Sequence, residues 1–485
     1  MNILHTPLFA SSTQKALGVG FHNIGGKGVL RASDTATVNR VQFHYGERCG
    51  HVPLEAHNIR VLVDFSTNDI RMQMEYLSQL FGKDIVPITA EDFREEKKTT
   101  PEQIPLVVPY INVPETEVYL RDELGAETWG IPAQMTSILK NKADFYQLVD
   151  ELGMDGFCLP DYKISSIYDV AKEAYTFLAW IEDVYKKVEL AHIYPLGVML
   201  RAAESDGNYG CCLVYENEAG IVVVQDGNAE RAQSYSQWHE ALAMSQQHLA
   251  ATMNLQKETR IVISRYVDLL DSPGMSVVIL NGQVESLRWN GQVQKKGSRA
   301  CVGTSTYAPT RACLRRMQQQ YEDQTAASFE LFLRRTASKY GIDFACIRGV
   351  ANVDILLPGE LEERLQRQRK QPAMNYLAEC NPRWTNYTDA IMTMLGVSRR
   401  EQTISNMRAV IREGILAIDK YPLPGNVDPR NMREAVFEKD EILKQDGTRI
   451  ICRMAKNPMG FIFAGNIQQA QQEVAALSTK LSTIQ

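Results

Sequence analysis

The sequence predicts a multidomain α/β protein with an α+β segment at its C-terminal end, on three observations. The chain has 485 residues, more than one hydrophobic core usually serves, so roughly two to four domains or subdomains are expected. Apolar residues make up 44% and charged residues 23%, the proportions of an ordinary globular protein. From Asn58 onward, apolar runs of strand length alternate with stretches of helical periodicity.

Composition excludes several classes. No apolar run approaches the roughly 18–20 residues of a membrane span, and MNILHTPLFASSTQK has no basic-then-apolar leader pattern. Neither membrane insertion nor export is expected. The net charge of −6, without a Lys/Arg block, speaks against nucleic acid as partner. The nine cysteines are scattered and form no Cys-x-x-Cys pair, which suits reduced thiols in the cytoplasm better than disulfides or zinc.

Element by element, glycines 18, 20, 25, 26 and 28 match neither phosphate-loop spacing and are expected in a flexible turn between strands. IRVLVDF predicts a buried strand. Ser66 or Thr67 then caps a helix carrying Ile70, Met74, Leu77 and Phe81, which Gly82 stops. Strands follow at Asp84–Ile88 and Leu106–Ile111, with Glu91–Thr100 a charged surface loop between them, and Pro114 opens a helix. Helices are expected at Lys142–Leu152, Ile167–Lys187, Ser234–Leu255 and Ala326–Tyr340. Strands are expected within Pro195–Val223 and at Arg260–Val267, Met275–Leu280, Phe344–Leu357 and Met374–Cys380. The charged stretch GELEERLQRQRKQ joins the last two as a solvated excursion. Beyond Gly396 the chain is mostly helical, with a strand pair at Thr448–Arg453 and Gly460–Phe463.

The chemistry concentrates in Asn352-Val-Asp354 and Glu379-Cys-Asn381-Pro-Arg383. Glu379 and Asn381 are two apart, so one strand face carries both. With Asp354 on the neighbouring strand they form a hard-oxygen set of the kind Mg²⁺ on nucleotide phosphates requires. Arg383, two residues further, can take a phosphate oxygen bidentately. No nucleophilic Ser/His/Asp or Cys/His set is evident, and Cys380 points to the opposite face, into the core.

A carboxylate followed by Glu-x-Asn resembles the closing strands of the ATP-grasp superfamily, over about residues 130–395. The resemblance implies an N-terminal open α/β domain (1–128), an ATP-grasp core (129–395, lid about 160–262) and a C-terminal domain (396–485). It is most similar to the group with a preceding α/β domain that includes peptide-forming ligases. It implies that Asp354, Glu379 and Asn381 hold Mg²⁺, and that Lys142 meets the α- or β-phosphate. Arg201, where the family has lysine, and Ser205, Gly207 and Gly210 of a glycine loop would close over the phosphates. The hinge strand with Arg265 and Val267 would meet adenine, although Ser264 stands where glutamate is usual. Asp271, with Asp268 as fallback, would meet the ribose. Asn352 stands where many ligases have arginine, so Arg383, Arg348 or Arg299 would serve the reacting groups, with Lys295 and Lys296 as further candidates. The implied reaction joins a small carboxylate to an amine (amino acids or a short peptide) through an acyl phosphate, using ATP and Mg²⁺ and releasing ADP and phosphate. Another ATP-grasp reaction, as in a carboxylase or small-molecule kinase, and a lapsed ATP-binding scaffold stay open. So does the C-terminal segment's part in capping the site or forming a homodimer.

Overall fold

The structure is a computed structural model. It describes residues 3–9, 17–21, 23, 52–56, 58–63, 67–101, 105–154, 156–191, 193–205, 210–227, 232–253, 259–294, 301–308, 312–371, 374–423, 427–454 and 459–483.

The first sheet is parallel. Its strands β1 (Leu17–Phe21), β2 (Asn58–Leu62), β3 (Ile85–Ile88), β4 (Pro105–Pro109) and β5 (Glu127–Thr128) run in the order β3-β2-β1-β4-β5. Helix α1 (Asn68–Phe81) starts at Thr67, whose side chain accepts from the Ile70 N–H, and ends at Gly82 in the left-handed region. Val107 packs on one face of β4, while Leu106 and Val108 join the core on the other. Glycines 18 and 20 lie inside central strand β1, not in a turn. A Cβ on Gly18 would stand 2.6 Å from Ala56 Cβ, and one on Gly20 would stand 2.9 Å from Val52 Cγ2, so the strand needs bare backbone there. Glycines 25, 26 and 28 lie outside the described residues.

The expected loop at 91–100 is instead helix α2 (Ala90–Thr99). Thr89 and Asp92 form a reciprocal capping box, Phe93 is fully buried, and Arg60 pairs with Glu96 at 2.6 Å. The many charges concealed a helix anchored by one aromatic residue. Helices α3 (Pro114–Val118), α4 (Ala133–Lys140) and α5 (Lys142–Leu152) lead into short β6 (Phe157–Cys158).

A second, antiparallel sheet contains β7 (Tyr162–Ser166), β8 (Gly197–Ala202), β9 (Cys211–Glu216), β10 (Val222–Asp226), β11 (Gln233–Tyr235) and β12 (Arg260–Arg265). Helices α6 (Val170–Lys187) and α7 (Trp238–Met253) share one core with it.

The third sheet has ten strands: β6, which pairs with β18 (Asn375–Asn381), then β13 (Leu269–Asp271), β14 (Gly274–Leu280), β15 (Gln283–Gln294), β16 (Cys301–Thr306) and the five that follow below. Helix α8 (Ala312–Lys339) begins before the expected Ala326. Strand β17 (Gly349–Pro358) follows. Helix α9 (Glu360–Gln368) replaces the expected solvated excursion, with Glu362 and Gln366 buried, and leads to β18 (Asn375–Asn381). Helices α10 (Asn386–Val397) and α11 (Ile404–Glu413) precede β19 (Ile415–Ile418), a strand not anticipated. After it come α12 (Pro429–Leu443), β20 (Arg449–Met454), β21 (Gly460–Ala464) and α13 (Ile467–Ser482). Strand β19 pairs with β16, so the C-terminal strands extend the sheet that carries β17 and β18.

That junction depends on Gly303, where a Cβ would stand 2.3 Å from the Ala417 carbonyl oxygen. Gly303→Ala is expected to cost about 1–3 kcal/mol by forcing the two strands apart. Urea unfolding of the pure variant checks this, and an unchanged midpoint would refute it. Among the described residues, no helix is long and apolar enough to cross a membrane.

Candidate active site

The strongest cluster of sequence-derived residues forms where β17 and β18 pair. Asp354 lies directly opposite Glu379, and Asn352 opposite Asn381, with the register shifting just beyond Asp354. The two carboxyls therefore face each other across the strand pair. Asn352 Nδ2 donates to Asp354 Oδ1 at 3.0 Å, and its Oδ1 accepts from Ser276 at 3.0 Å. A residue expected to mark a departure thus orients the first carboxylate.

Lysine 142 is buried, not a solvated residue of a first helical turn. Asn141 caps α5, the Lys142 N–H donates to the Ala203 carbonyl at 2.8 Å, and Nζ lies 3.0 Å from Glu379 Oε2 while also donating to the Ser205 carbonyl. Arg201 comes from β8 of the second sheet. It donates to the Ala378 carbonyl at 2.9 Å and to the Tyr146 hydroxyl, with its guanidinium 5.2 Å from that ring's centre. Ser205 is buried, and its hydroxyl donates to the Ala202 carbonyl at 2.8 Å.

Burial, then the facing Glu379, pushes the Asp354 carboxyl well above its ordinary range. Burial also works against ionised Glu379, but Lys142 and Arg201 outweigh it and hold that carboxyl low. One carboxyl resists ionisation and its neighbour is firmly ionised, a pair separated by environment.

Pro382 ends β18, so Arg383 does not continue the strand face. Its N–H turns back to the Asn381 carbonyl at 2.8 Å, and Nη2 donates to Asn381 Oδ1 at 2.9 Å. Nη1 donates to the Tyr110 hydroxyl at 3.1 Å. Tyr110 follows β4, beside the point where the parallel sheet's strand order reverses. Ligands commonly bind at such a point, and that rule could have found Tyr110 from the sequence. Ser276 and Tyr146 gave no sequence signal.

Other expected residues lie elsewhere. Arg348 is six residues before Asp354, about 20 Å along an extended strand, and is paired with Glu127. The Arg265 side chain is fully buried against Glu362 and Asp161, so it is not available to touch a ligand. Asp268 caps α9 through the Leu361 N–H, while Asp271 accepts from the Tyr307 hydroxyl at 2.6 Å. Val267 follows β12 and is buried, and Gly210 precedes β9 in the left-handed region. Gly207, Arg299, Lys295 and Lys296 lie outside the described residues.

A parallel α/β sheet, an antiparallel sheet and a large third sheet whose β17–β18 pair faces a buried lysine are the parts of the ATP-grasp fold. The ADP complex of an N5-carboxyaminoimidazole ribonucleotide synthetase matches with a TM-score of 0.50 at 11% identity, over 99% of this chain and 100% of that one. An N5-carboxyaminoimidazole synthase from Aspergillus clavatus matches at 0.47 with 12% identity, over 98% and 100%. Biotin carboxylase from Campylobacter jejuni matches at 0.48 with 11% identity, over 87% and 89%. No protein-family profile and no curated protein sequence matches the chain.

Proposed function

We propose that the protein is an ATP-dependent carboxylate–amine ligase that forms an amide-type bond through an acyl phosphate and releases ADP and phosphate. The observation that carries this reading is the Asp354–Glu379 pair, with Asn381 beside it and Lys142, Arg201 and Arg383 around it. Two carboxylates and an amide oxygen are hard donors, and the resisted ionisation of Asp354 is what a divalent cation would relieve, so the set fits Mg²⁺. Asp354, Glu379 and Asn381 would hold the ion, which would supply charge neutralisation on the phosphates.

The chain's own residues do the rest. Lys142 and Arg201 place positive charge where the triphosphate would lie, and Arg383 stands at the junction with the first sheet. An oxygen of the donor carboxylate attacks the γ-phosphorus, and the bond to the ADP oxygen breaks. The amine then attacks the acyl carbon, phosphate leaves with the bonding pair, and the amine loses a proton. No protein nucleophile takes part. Small carboxylates and amines, amino acids and short peptides among them, are the proposed substrates. The proposed working parts are 1–128, 129–395 and 396–485, in a cytoplasmic setting.

A phosphate-release screen of carboxylate and amine pairs tests the reading. It includes bicarbonate, because the structure matched at a TM-score of 0.50 is a carboxyaminoimidazole ribonucleotide synthetase. ADP and phosphate formed only with a matched pair is the expected result. AMP with pyrophosphate would overturn the acyl-phosphate route. Strict bicarbonate dependence would reassign the protein as a carboxylase.

A further inference from the structure

The hinge between lid and core rests on a buried polar network that the proposed chemistry does not use. Helix α9 fills the chain between β17 and β18 and carries Glu362, which is wholly buried. Glu362 Oε1 accepts from Arg265 Nη2 at 2.7 Å and from the Tyr376 hydroxyl at 2.6 Å. Its Oε2 accepts from Arg265 Nη1 at 2.8 Å and from the Tyr194 hydroxyl. Arg265 Nε donates to Asp161 at 3.1 Å, and Arg369 holds Asp161 with both terminal nitrogens.

Two of these groups reach the hinge backbone. Arg265 Nη1 donates to the Tyr266 carbonyl at 3.0 Å, and the Tyr194 hydroxyl accepts from the Asp268 N–H at 2.6 Å. These are the two peptide planes flanking Val267. In a planar trans peptide the N–H points away from the C=O. Gripping the Tyr266 carbonyl therefore aims the Val267 N–H away from the network, and gripping the Asp268 N–H does the same for the Val267 C=O. Among the described residues neither Val267 group has a hydrogen-bond partner, although the residue is buried. Unpaired buried backbone groups are rare and point to a missing partner.

We propose that Glu362 is a positioning residue for base recognition: it holds Arg265 and Tyr194, which fix the peptides on either side of Val267 so that its N–H and C=O read the edge of a purine nucleotide. One donor and one acceptor suit adenine, whose N1 accepts and whose amino group donates. Guanine offers the reverse pattern there. The proposal rests on the ligase reading only in that a nucleotide is bound. It would also account for the tolerance of Ser264, because rigid backbone takes over a side chain's task.

The test is competition binding of ATP and GTP to the full chain, for the wild type, Glu362→Gln and the milder Tyr194→Phe. The wild type is expected to prefer ATP. Each variant is expected to weaken ATP about 10-fold, roughly one hydrogen bond's worth, while GTP changes by less than about 2-fold. A fall of both nucleotides together, or an unchanged ratio, would overturn the proposal alone, leaving the ligase reading intact. Equal wild-type affinity for the two would do the same. A wild type that binds no nucleotide would remove both.

Discussion

Asp354→Asn is expected to abolish turnover and yet make the ligand-free protein more stable at neutral pH. The turnover loss, about 10²–10³-fold or more, follows from removing one of two carboxylates proposed to neutralise the phosphates. The stability gain follows from the direction of its titration. Burial and the facing Glu379 raise the carboxyl's pKa in the fold above the ordinary 3.8. For an acid shifted upward, the folded state is at no disadvantage below the unfolded pKa, and stability is lost as pH rises through the folded pKa. At neutral pH the wild type carries that penalty. Asparagine keeps the oxygen that accepts from Asn352 Nδ2 and cannot ionise. The melting temperature without metal or nucleotide should rise at pH 8 by about 1–2 °C per kcal/mol recovered, with the gain vanishing near pH 4. Equal melting temperatures for variant and wild type at pH 8 would sink the assignment. Such a gain would place Asp354 among residues kept at a stability cost for function.

Arg453→Met is expected to destabilise the fold by about 3–5 kcal/mol, because it strands a buried carboxylate. Arg453 on β20 is buried and pairs with Asp389 of α10, which is also buried. It reaches Asp419 at 3.5 Å and the Asn386 side-chain oxygen at 3.1 Å. Helix α10 starts three residues after Arg383, so this pair ties the C-terminal strands to the segment leaving the candidate site. Adding Asp389→Leu should recover much of the loss, since an apolar pair of similar volume can replace an ion pair without leaving a charge behind. Chemical unfolding of the two single variants and the double variant measures the coupling. A double variant as unstable as the sum of the singles would show that the two residues act separately.

Structure is legible in the sequence where residue type and spacing act over a few positions. Thr67 and Gly82 bracket α1 as expected, Lys142–Leu152 is a helix, and Glu379 and Asn381 share a strand that pairs with Asp354's. Two charge-rich stretches, 91–100 and 359–371, form helices where the sequence suggests solvated segments. Phe93 turns inward in the first, and Glu362, Leu365 and Gln366 in the second, and Glu362 meets Arg265, far away in sequence. Arg265 and Arg348 were misplaced for the same reason. Their charges are taken up by Glu362, Asp161 and Glu127, and the chain order of those residues gives no hint of it.

By itself the sequence determined much of the alternation of strands and helices, the placing of Asp354, Glu379 and Asn381 on two neighbouring strands, and the resemblance that follows from their order. These depend on periodicities of two and 3.6 residues, which a single segment contains. Only the tertiary structure decided which basic side chains face those carboxylates, that Tyr110 meets Arg383, that β19 joins the sheet of β17 and β18, and that a buried glutamate holds Arg265 at the end of β12. Each of these depends on burial and on contacts between distant segments, and a charge's meaning is fixed only once its partner and its distance from water are known.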